Sequence, residues 1–189
     1  MDWILASASP RRKELLKELI PDFEIIPSLA NEDVREELSP PNFVKELAKR
    51  KAEEVAMREA ARGKIVLGSD TVVAFDGKIL GKPKDEAEAF SMLSALSGNV
   101  HQVYTGVCII YPFKTGRSVL VDAECTEVVF ENLSKTQILA YIATGSPMDK
   151  AGAYGMQDGG LVKEIKGSYS NVIGLPLELC KRMIEQIKI

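Results

Sequence analysis

The sequence has few of the residues that most often build metal centres and catalytic triads: one histidine and three cysteines among 189 residues. Because the single histidine, His101, lies within a predicted strand, a site with several imidazole ligands and a histidine-based triad are both excluded. The cysteines, Cys108, Cys125 and Cys180, are widely spaced and odd in number, which argues against a disulfide framework and a thiolate metal site. We expect all three to be buried structural residues.

Long apolar runs and an excess of positive charge are also missing. No run approaches the roughly 20 apolar residues that span a bilayer, and a charged helix is predicted too early for a secretory signal peptide. The chain has 27 acidic and 24 basic residues, a balance that argues against binding to nucleic-acid polymers. These absences predict a cytoplasmic protein whose partners include neither a nucleic-acid polymer nor a membrane.

Two common nucleotide-binding motifs are absent as well. Neither GxGxxG after a strand nor GxxxxGK[ST] occurs, so a Rossmann cofactor site and a P-loop are disfavoured. Predicted strands and helices alternate, apart from an antiparallel pair over Val100–Tyr111 and Ser118–Phe130. This order predicts one α/β domain over residues 1–189, with a mixed twisted sheet flanked by helices and two lobes around a cleft.

What the sequence does contain is a strand, a turn of small residues and a helix start at its amino terminus. Ser9 stands at the helix N-cap and Pro10 at the first helical position. A helix N-terminus favours acidic residues by about 0.3–1 kcal/mol each, yet the first turn carries Arg11, Arg12 and Lys13. A bound anion would relieve this repulsion, in a cradle of backbone N–H groups and the hydroxyls of Ser7 and Ser9. The alternative is a helix start with its charges splayed into water.

A carboxylate interrupts the long apolar run from 64 to 75. The run predicts a central strand buried on both faces, and Asp70 lies in its middle, within Gly68-Ser69-Asp70-Thr71. Burying a carboxylate without partners is unfavourable. Asp70 is therefore interpreted either as a catalytic or metal-binding group or as the cap of a turn at a strand end.

Three further segments offer polar groups for a ligand. A long helix predicted from Ser39–Pro41 to Gly63 carries Lys51 beside its apolar positions, so Lys51 could point along the buried edge. Lys82 lies in the glycine-bounded loop Gly81-Lys82-Pro83. The glycine-rich segment 146–160 permits close backbone approach to a ligand, and its Gln157 could hydrogen-bond a base edge. An ordinary surface loop is the alternative for that last segment.

In these segments the chain resembles the Maf family of septum-formation-like nucleotide pyrophosphatases. The matching blocks run in order along nearly the whole chain: LASASPRRKELL (5–16), AKRKA (48–52), GSDTVV (68–73), GKP (81–83), 96–105, PMDKAGAYGMQ (147–157) and YSNVIGLP (169–176). The resemblance implies hydrolysis of nucleoside triphosphates to the monophosphate and pyrophosphate with Mg²⁺ or Mn²⁺. It also implies the Maf/ITPase-like fold, often as a homodimer.

The resemblance also assigns roles to individual residues. It makes Asp70 the proton acceptor that activates water, with Arg11, Arg12, Lys51 and Lys82, aided by Ser7 and Ser9, binding the triphosphate. Asp70 and Glu32 are the candidate metal ligands. The branch that acts on dTTP and UTP is matched at the specificity positions Arg11, Thr71 and Gln157. Asp158 departs from that branch, which usually has glycine there, and would add charge near the base pocket.

Two other functions stay open at this point. A non-catalytic regulator of septum formation would need the anion cradle without Asp70, and a phosphohydrolase acting on sugar or protein phosphates would release orthophosphate. The sequence also leaves the physiological metal open. It does not decide between cleaning the nucleotide pool and slowing cell division, nor rank dTTP, UTP, CTP and modified pyrimidine nucleotides.

Overall fold

The computed structural model describes residues 2–34, 37–114 and 116–187. Its strands are β1 (Trp3–Leu5), β2 (Glu24–Ile25), β3 (Ile65–Phe75), β4 (Lys78–Leu80), β5 (Val100–Phe113), β6 (Gly116–Phe130) and β7 (Val162–Lys166). Its α-helices are α1 (Pro10–Lys17), α2 (Pro40–Ala56), α3 (Glu86–Leu96), α4 (Lys135–Ile142), α5 (Tyr169–Ile173) and α6 (Leu177–Glu185). Short 3-10 turns cover Glu59–Ala61, Ser146–Asp149, Ala151–Ala153 and Met156–Asp158.

The strands form one mixed sheet in the order β2-β1-β3-β5-β6-β7. β1 is parallel to β2 and β3, whereas β3, β5, β6 and β7 are successively antiparallel. β4 pairs with the far end of β3 through a hairpin turn at Asp76-Gly77, where both residues have positive φ, as a two-residue turn between strands requires. The predicted α/β fold, its mixed sheet and the antiparallel pair are confirmed.

Three apolar clusters surround this sheet. One packs α1 and α6 on one face through residues such as Leu16 and Met183, and a second packs α2 on the opposite face. The third lies toward the other end of the long strands and contains α3, α4 and the glycine-rich segment. β3 joins the two ends, because Leu67 belongs to the first cluster and Val73 to the third. The cleft lies between these ends, as predicted.

Helix α2 lies unusually close to the sheet. A Cβ atom on Gly68 of β3 would collide with the Ala48 carbonyl, and one on Gly106 of β5 would collide with the Val44 carbonyl. The two glycines lie on adjacent strands and two residues out of register, because Gly68 pairs with Cys108 and Gly106 pairs with Asp70. They therefore let the helix backbone rest directly on the strands, which brings Lys51 over β3.

Some sequence-based predictions were wrong. Helix α2 ends at Ala56 rather than Gly63, because the chain breaks at Arg58 into an extended residue before the short turn Glu59–Ala61. Cys108 and Cys180 are buried, but Cys125 is exposed, since it projects to the same face of β6 as the exposed Glu127, opposite to the buried Thr126. Within the described ranges, no helix has the length and hydropathy of a membrane span.

Candidate active site

A cavity of about 520 Å³ opens between the two ends of the sheet. Its walls include nine of the ten residues that the sequence singled out: Ser9, Arg11, Arg12, Glu32, Lys51, Asp70, Thr71, Lys82 and Gln157. Ser7, the tenth, does not line it, and neither does Lys13, the third cation of the first helical turn. Residues up to 148 positions apart in the chain, from Ser9 to Gln157, thus converge on one site.

A gap along one edge of β3 explains why this cavity reaches both faces of the strand. Pairing with β1 ends at Leu5 opposite Leu67, and pairing with β4 begins at Leu80 opposite Val73. In the described chain no strand fills the interval 68–72 on this edge, while β5 covers the other edge. Because side chains alternate along a strand, Asp70 and Thr71 project to opposite faces, and both still line the cavity.

Asp70 lies in a chain of charged groups with Lys51 and Glu32. The Lys51 ammonium donates to Asp70 Oδ1 at 2.6 Å and lies 2.9 Å from Glu32 Oε1. The side chains of Lys51 and Asp70 are 13% and 11% exposed, whereas that of Glu32 is 62% exposed. The prediction that Lys51 points along the buried edge of its helix is confirmed. Asp70 lies in mid-strand, so the alternative of a turn cap at a strand end is wrong.

Arg12 is fixed on the other face of β3. Its Nε donates to the Gly174 carbonyl at 2.9 Å and its Nη2 to Thr71 Oγ1 at 3.1 Å. Burial lowers the pKa of Arg12, while the carboxylate of Asp70 acts in the opposite direction. The side chain retains its charge, because a guanidinium stays protonated in proteins. Thr71 in turn bonds Thr105 at 2.9 Å, which anchors the contact in the buried interior.

The start of α1 has the predicted cap. Ser9 has extended backbone and its hydroxyl accepts from the Arg12 N–H at 3.4 Å, with Pro10 at the first position. The Ser7 hydroxyl is 3.2 Å from the Ser9 N–H and 3.4 Å from Arg12 Nη1. Ser7 therefore supports the turn and Arg12 from behind the cavity wall. Its direct contact with a substrate stays a prediction.

The glycine-rich segment closes the far wall and contains a cation that sequence reasoning missed. Lys150 lines the cavity, and its side chain is 11% exposed. Its ammonium donates to the Ser146 carbonyl and to Asp149 Oδ1 at 2.5 and 2.8 Å. The available signal in the sequence was a lysine within the glycine-rich segment. Its contacts make it a brace of this segment, whereas Gln157 beside it is exposed at the cavity.

Two further groups hold the same wall. Tyr154 is buried, and its hydroxyl lies 2.7 Å from His101 Nε2. Burial lowers the pKa of His101 to about 4, so the imidazole is neutral near pH 7. Asp158 accepts hydrogen bonds from Tyr141 at 2.5 Å and Ser146 at 2.9 Å. Asp158 does not line the cavity, so its carboxylate ties the segment to α4, and the expected charge in a base pocket is not found.

The donor set suits a hard divalent cation that a bound phosphate helps to hold. Over residues 2–34, 37–114 and 116–187, no group of three or more histidine, cysteine or acidic side chains could enclose a metal. Glu32 and Asp70 are instead linked by the Lys51 ammonium, a cation that touches both carboxylates. Mg²⁺ is commonly bound by one or two carboxylates together with substrate phosphates and water, and these two residues fit that pattern.

This combination of a buried carboxylate, clustered cations and a cleft in a mixed sheet agrees with a match to a known family. Residues 2–187 match the Maf-like protein family, so the chain belongs to that family. Its relatives include dTTP/UTP pyrophosphatases of Clostridium novyi (strain NT), 52% identical over 94% of this chain and 93% of the relative, and of Thermococcus gammatolerans, 49% identical over 96% and 95%. The enzyme of that name from Clostridium perfringens (strain 13) is 47% identical over 100% and 98%.

Similar solved structures include the Ham1 protein of Staphylococcus aureus. It has a TM-score of 0.49 and 18% sequence identity, and the match covers all of both chains.

Proposed function

We propose that this protein hydrolyses dTTP and UTP to the nucleoside monophosphate and pyrophosphate. The observation that carries the proposal is Asp70, a carboxylate in the middle of a buried strand that opens onto a cavity lined by Arg11, Arg12, Lys51 and Lys82. A nucleoside triphosphate brings about four negative charges, which such a cavity would neutralise and orient. The relatives named dTTP/UTP pyrophosphatase support the same substrates.

In the proposed mechanism Asp70 accepts a proton from a water molecule. The resulting hydroxide attacks the α-phosphorus, the bond from this phosphorus to the α,β-bridging oxygen breaks, and pyrophosphate leaves with the bonding electrons. Arg12 is suited to orient phosphate oxygens, because Gly174 and Thr71 already fix its guanidinium plane. Ser9 and the first N–H groups of α1 complete the cradle, with Ser7 supporting Arg12.

Mg²⁺ or Mn²⁺, held by Glu32 and Asp70, would supply charge neutralisation at the phosphate oxygens and leaving group. In this proposal, Arg11, Thr71 and Gln157 determine which base is accepted. Thr71 acts through Arg12, to which its hydroxyl is bonded, whereas Gln157 is exposed and free to contact a base edge directly.

The first test measures pyrophosphate and orthophosphate separately, with a panel of canonical and modified nucleoside triphosphates and Mg²⁺ or Mn²⁺. Pyrophosphate release strongest with dTTP and UTP supports the proposal. Orthophosphate release favours a phosphohydrolase of sugar or protein phosphates, and nucleotide binding without turnover favours a regulator of septum formation.

A pair of isosteric variants tests the role of Asp70. Asp70→Asn should lower kcat about 10²- to 10⁴-fold, the usual contribution of a proton acceptor, while nucleotide binding persists. Asp76→Asn is the matched control, because Asp76 lies on the exposed β3–β4 turn outside the cavity. Full activity of Asp70→Asn would show that Asp70 is not the proton acceptor.

The family resemblance further suggests a homodimer in the cytoplasm, acting in nucleotide-pool sanitation or in the arrest of cell division. We also propose that residues 1–189 form a single domain. Light scattering after size-exclusion chromatography tests the dimer, since a particle mass near 20.7 kDa would mean a monomer.

A further inference from the structure

Lys51 occupies the position between the two carboxylates that the proposed function assigns to a metal. Its ammonium is 2.6 Å from Asp70 Oδ1 and 2.9 Å from Glu32 Oε1. Within the described chain it is the one cavity cation that forms an ion pair with either residue, since Arg12 is bonded to Gly174 and Thr71 and Lys150 to Asp149. The carboxylates are thus already bridged by a positive charge.

An ammonium and a divalent cation cannot share this position, because two positive charges at contact distance repel each other strongly. We propose that Lys51 is an exchangeable counter-ion, which holds Glu32 and Asp70 together in the ligand-free protein and moves to the triphosphate when a divalent cation takes its place. This inference rests on the proposed function for the identity of the phosphate ligand.

The surroundings favour such an exchange. Lys51 has a flexible four-carbon stem and three rotatable donors, so its ammonium can change partners while α2 stays in place. Glu32 lies on a loop that is held by Arg50, the neighbour of Lys51 in α2. Arg50 donates a hydrogen bond to the Asp33 carbonyl of this loop at 2.8 Å. The backbones of Glu32 and Lys51 therefore keep their relative positions while the cation between the carboxylates is exchanged.

The exchange predicts that metal and nucleotide bind cooperatively. Without nucleotide, a divalent cation can bind only to those molecules in which Lys51 has left the two carboxylates. The apparent affinity for the cation is therefore reduced in proportion to that fraction of molecules. A bound triphosphate offers the ammonium new partners and removes this competition. By linkage, the metal then raises nucleotide affinity by the same factor.

The direct test is a titration of the nucleotide-free protein with Mn²⁺, in which electron paramagnetic resonance measures the free ion. Lys51→Met should bind Mn²⁺ at least tenfold more tightly than the wild type. Lys49→Met is one control, because Lys49 is on the same helix but pairs with Glu53 outside the cavity. Lys82→Met is the other, because it removes a charge from the cavity without touching either carboxylate. Both controls should stay within about threefold of the wild type.

Two further measurements complete the test. Adding Asp70→Asn to Lys51→Met should abolish the gain in Mn²⁺ affinity. In the wild type, dTTP with an imido group in place of the α,β-bridging oxygen should tighten Mn²⁺ binding at least tenfold, and in Lys51→Met by much less. Lys51→Gln replaces Lys51→Met throughout if circular dichroism shows that the latter is unfolded.

The inference is overturned if the Lys51 variant binds Mn²⁺ no more tightly than the wild type, or if Lys82→Met tightens binding equally. It is also overturned if no variant binds Mn²⁺ at millimolar concentration. None of these titrations requires hydrolysis. A protein that passes them but releases no pyrophosphate would refute the proposed function and retain the exchange of Lys51.

Discussion

Gly68→Ala should separate helix α2 from the strand that carries Asp70. The new Cβ would lie 2.9 Å from Ala52 Cβ and would also collide with the Ala48 carbonyl. A comfortable carbon–carbon contact is about 3.5 Å, so this contact alone requires the helix to retreat by roughly 0.6 Å, and the closer approach to the Ala48 carbonyl requires more. Because the obstacle is helix backbone, no side-chain rotation can absorb the clash.

This displacement should cost both stability and activity. Overpacking of a close interface usually costs about 1–3 kcal/mol, so the free energy of unfolding should fall by that amount in urea titrations. Lys51 moves with the helix away from Asp70, which lengthens a contact that is now 2.6 Å. Because small misplacements of catalytic groups are costly, we expect kcat/KM for pyrophosphate release to fall at least tenfold.

Gly116→Ala is the matched control. Its Cβ would meet nothing within 4 Å, and its backbone has no positive φ, so the same change in side chain creates no clash. Its free energy of unfolding should rise by no more than about 1 kcal/mol, through lost freedom of the unfolded chain. Wild-type stability and activity in Gly68→Ala would refute the argument that close helix–strand packing positions Lys51.

Three other changes test separate parts of the structure. His101→Phe should flatten the pH dependence of stability. Burial holds the pKa of His101 at about 4 against 6.5 in the unfolded chain, so the wild type loses up to about 3 kcal/mol of unfolding free energy as the pH falls from 6.5 to 4. An unchanged pH profile of the variant in urea titrations would contradict this. Arg12→Lys keeps the charge but loses the planar contacts to Gly174 and Thr71, so kcat/KM should drop at least tenfold in the pyrophosphate assay. Ser134→Ala removes a capping box and should lower the unfolding free energy by about 1 kcal/mol with kcat unchanged.

Sequence reasoning succeeded where local chemistry is strong. The predicted cap at Ser9 is confirmed, and it depends on residues within four positions. The capping box at Ser134 and the turn at Asp76-Gly77 depend on equally local residues. The end of α2 was misplaced because Gly63 is a good terminator, yet the helix had already broken at Arg58. Local preference predicts possible ends, while packing against β3 selects among them.

Contacts between segments that are distant in the chain could not be predicted from local sequence patterns. The residues bonded to Arg12 include Gly174, 162 positions away, and nothing near either residue encodes that pairing. Lys150 was overlooked because its segment looked like a ligand loop, whereas its buried ammonium braces that loop. The ion pair of Lys51 with Asp70 was partly foreseeable, since an apolar helix edge and a carboxylate in an apolar strand both require partners.

The position of the candidate site follows from the way β3 changes neighbours. β1 pairs with one end of β3 in parallel, and β4 pairs with the other end in antiparallel orientation. β4, the second strand of the hairpin, has only three residues, so it does not extend along β3 as far as the end of β1. The resulting gap leaves one edge of 68–72 open to a ligand while β5 keeps the strand rigid from the other side. A carboxylate on one face and a threonine-anchored guanidinium on the other can then act on the same substrate, which a fully paired sheet would not allow.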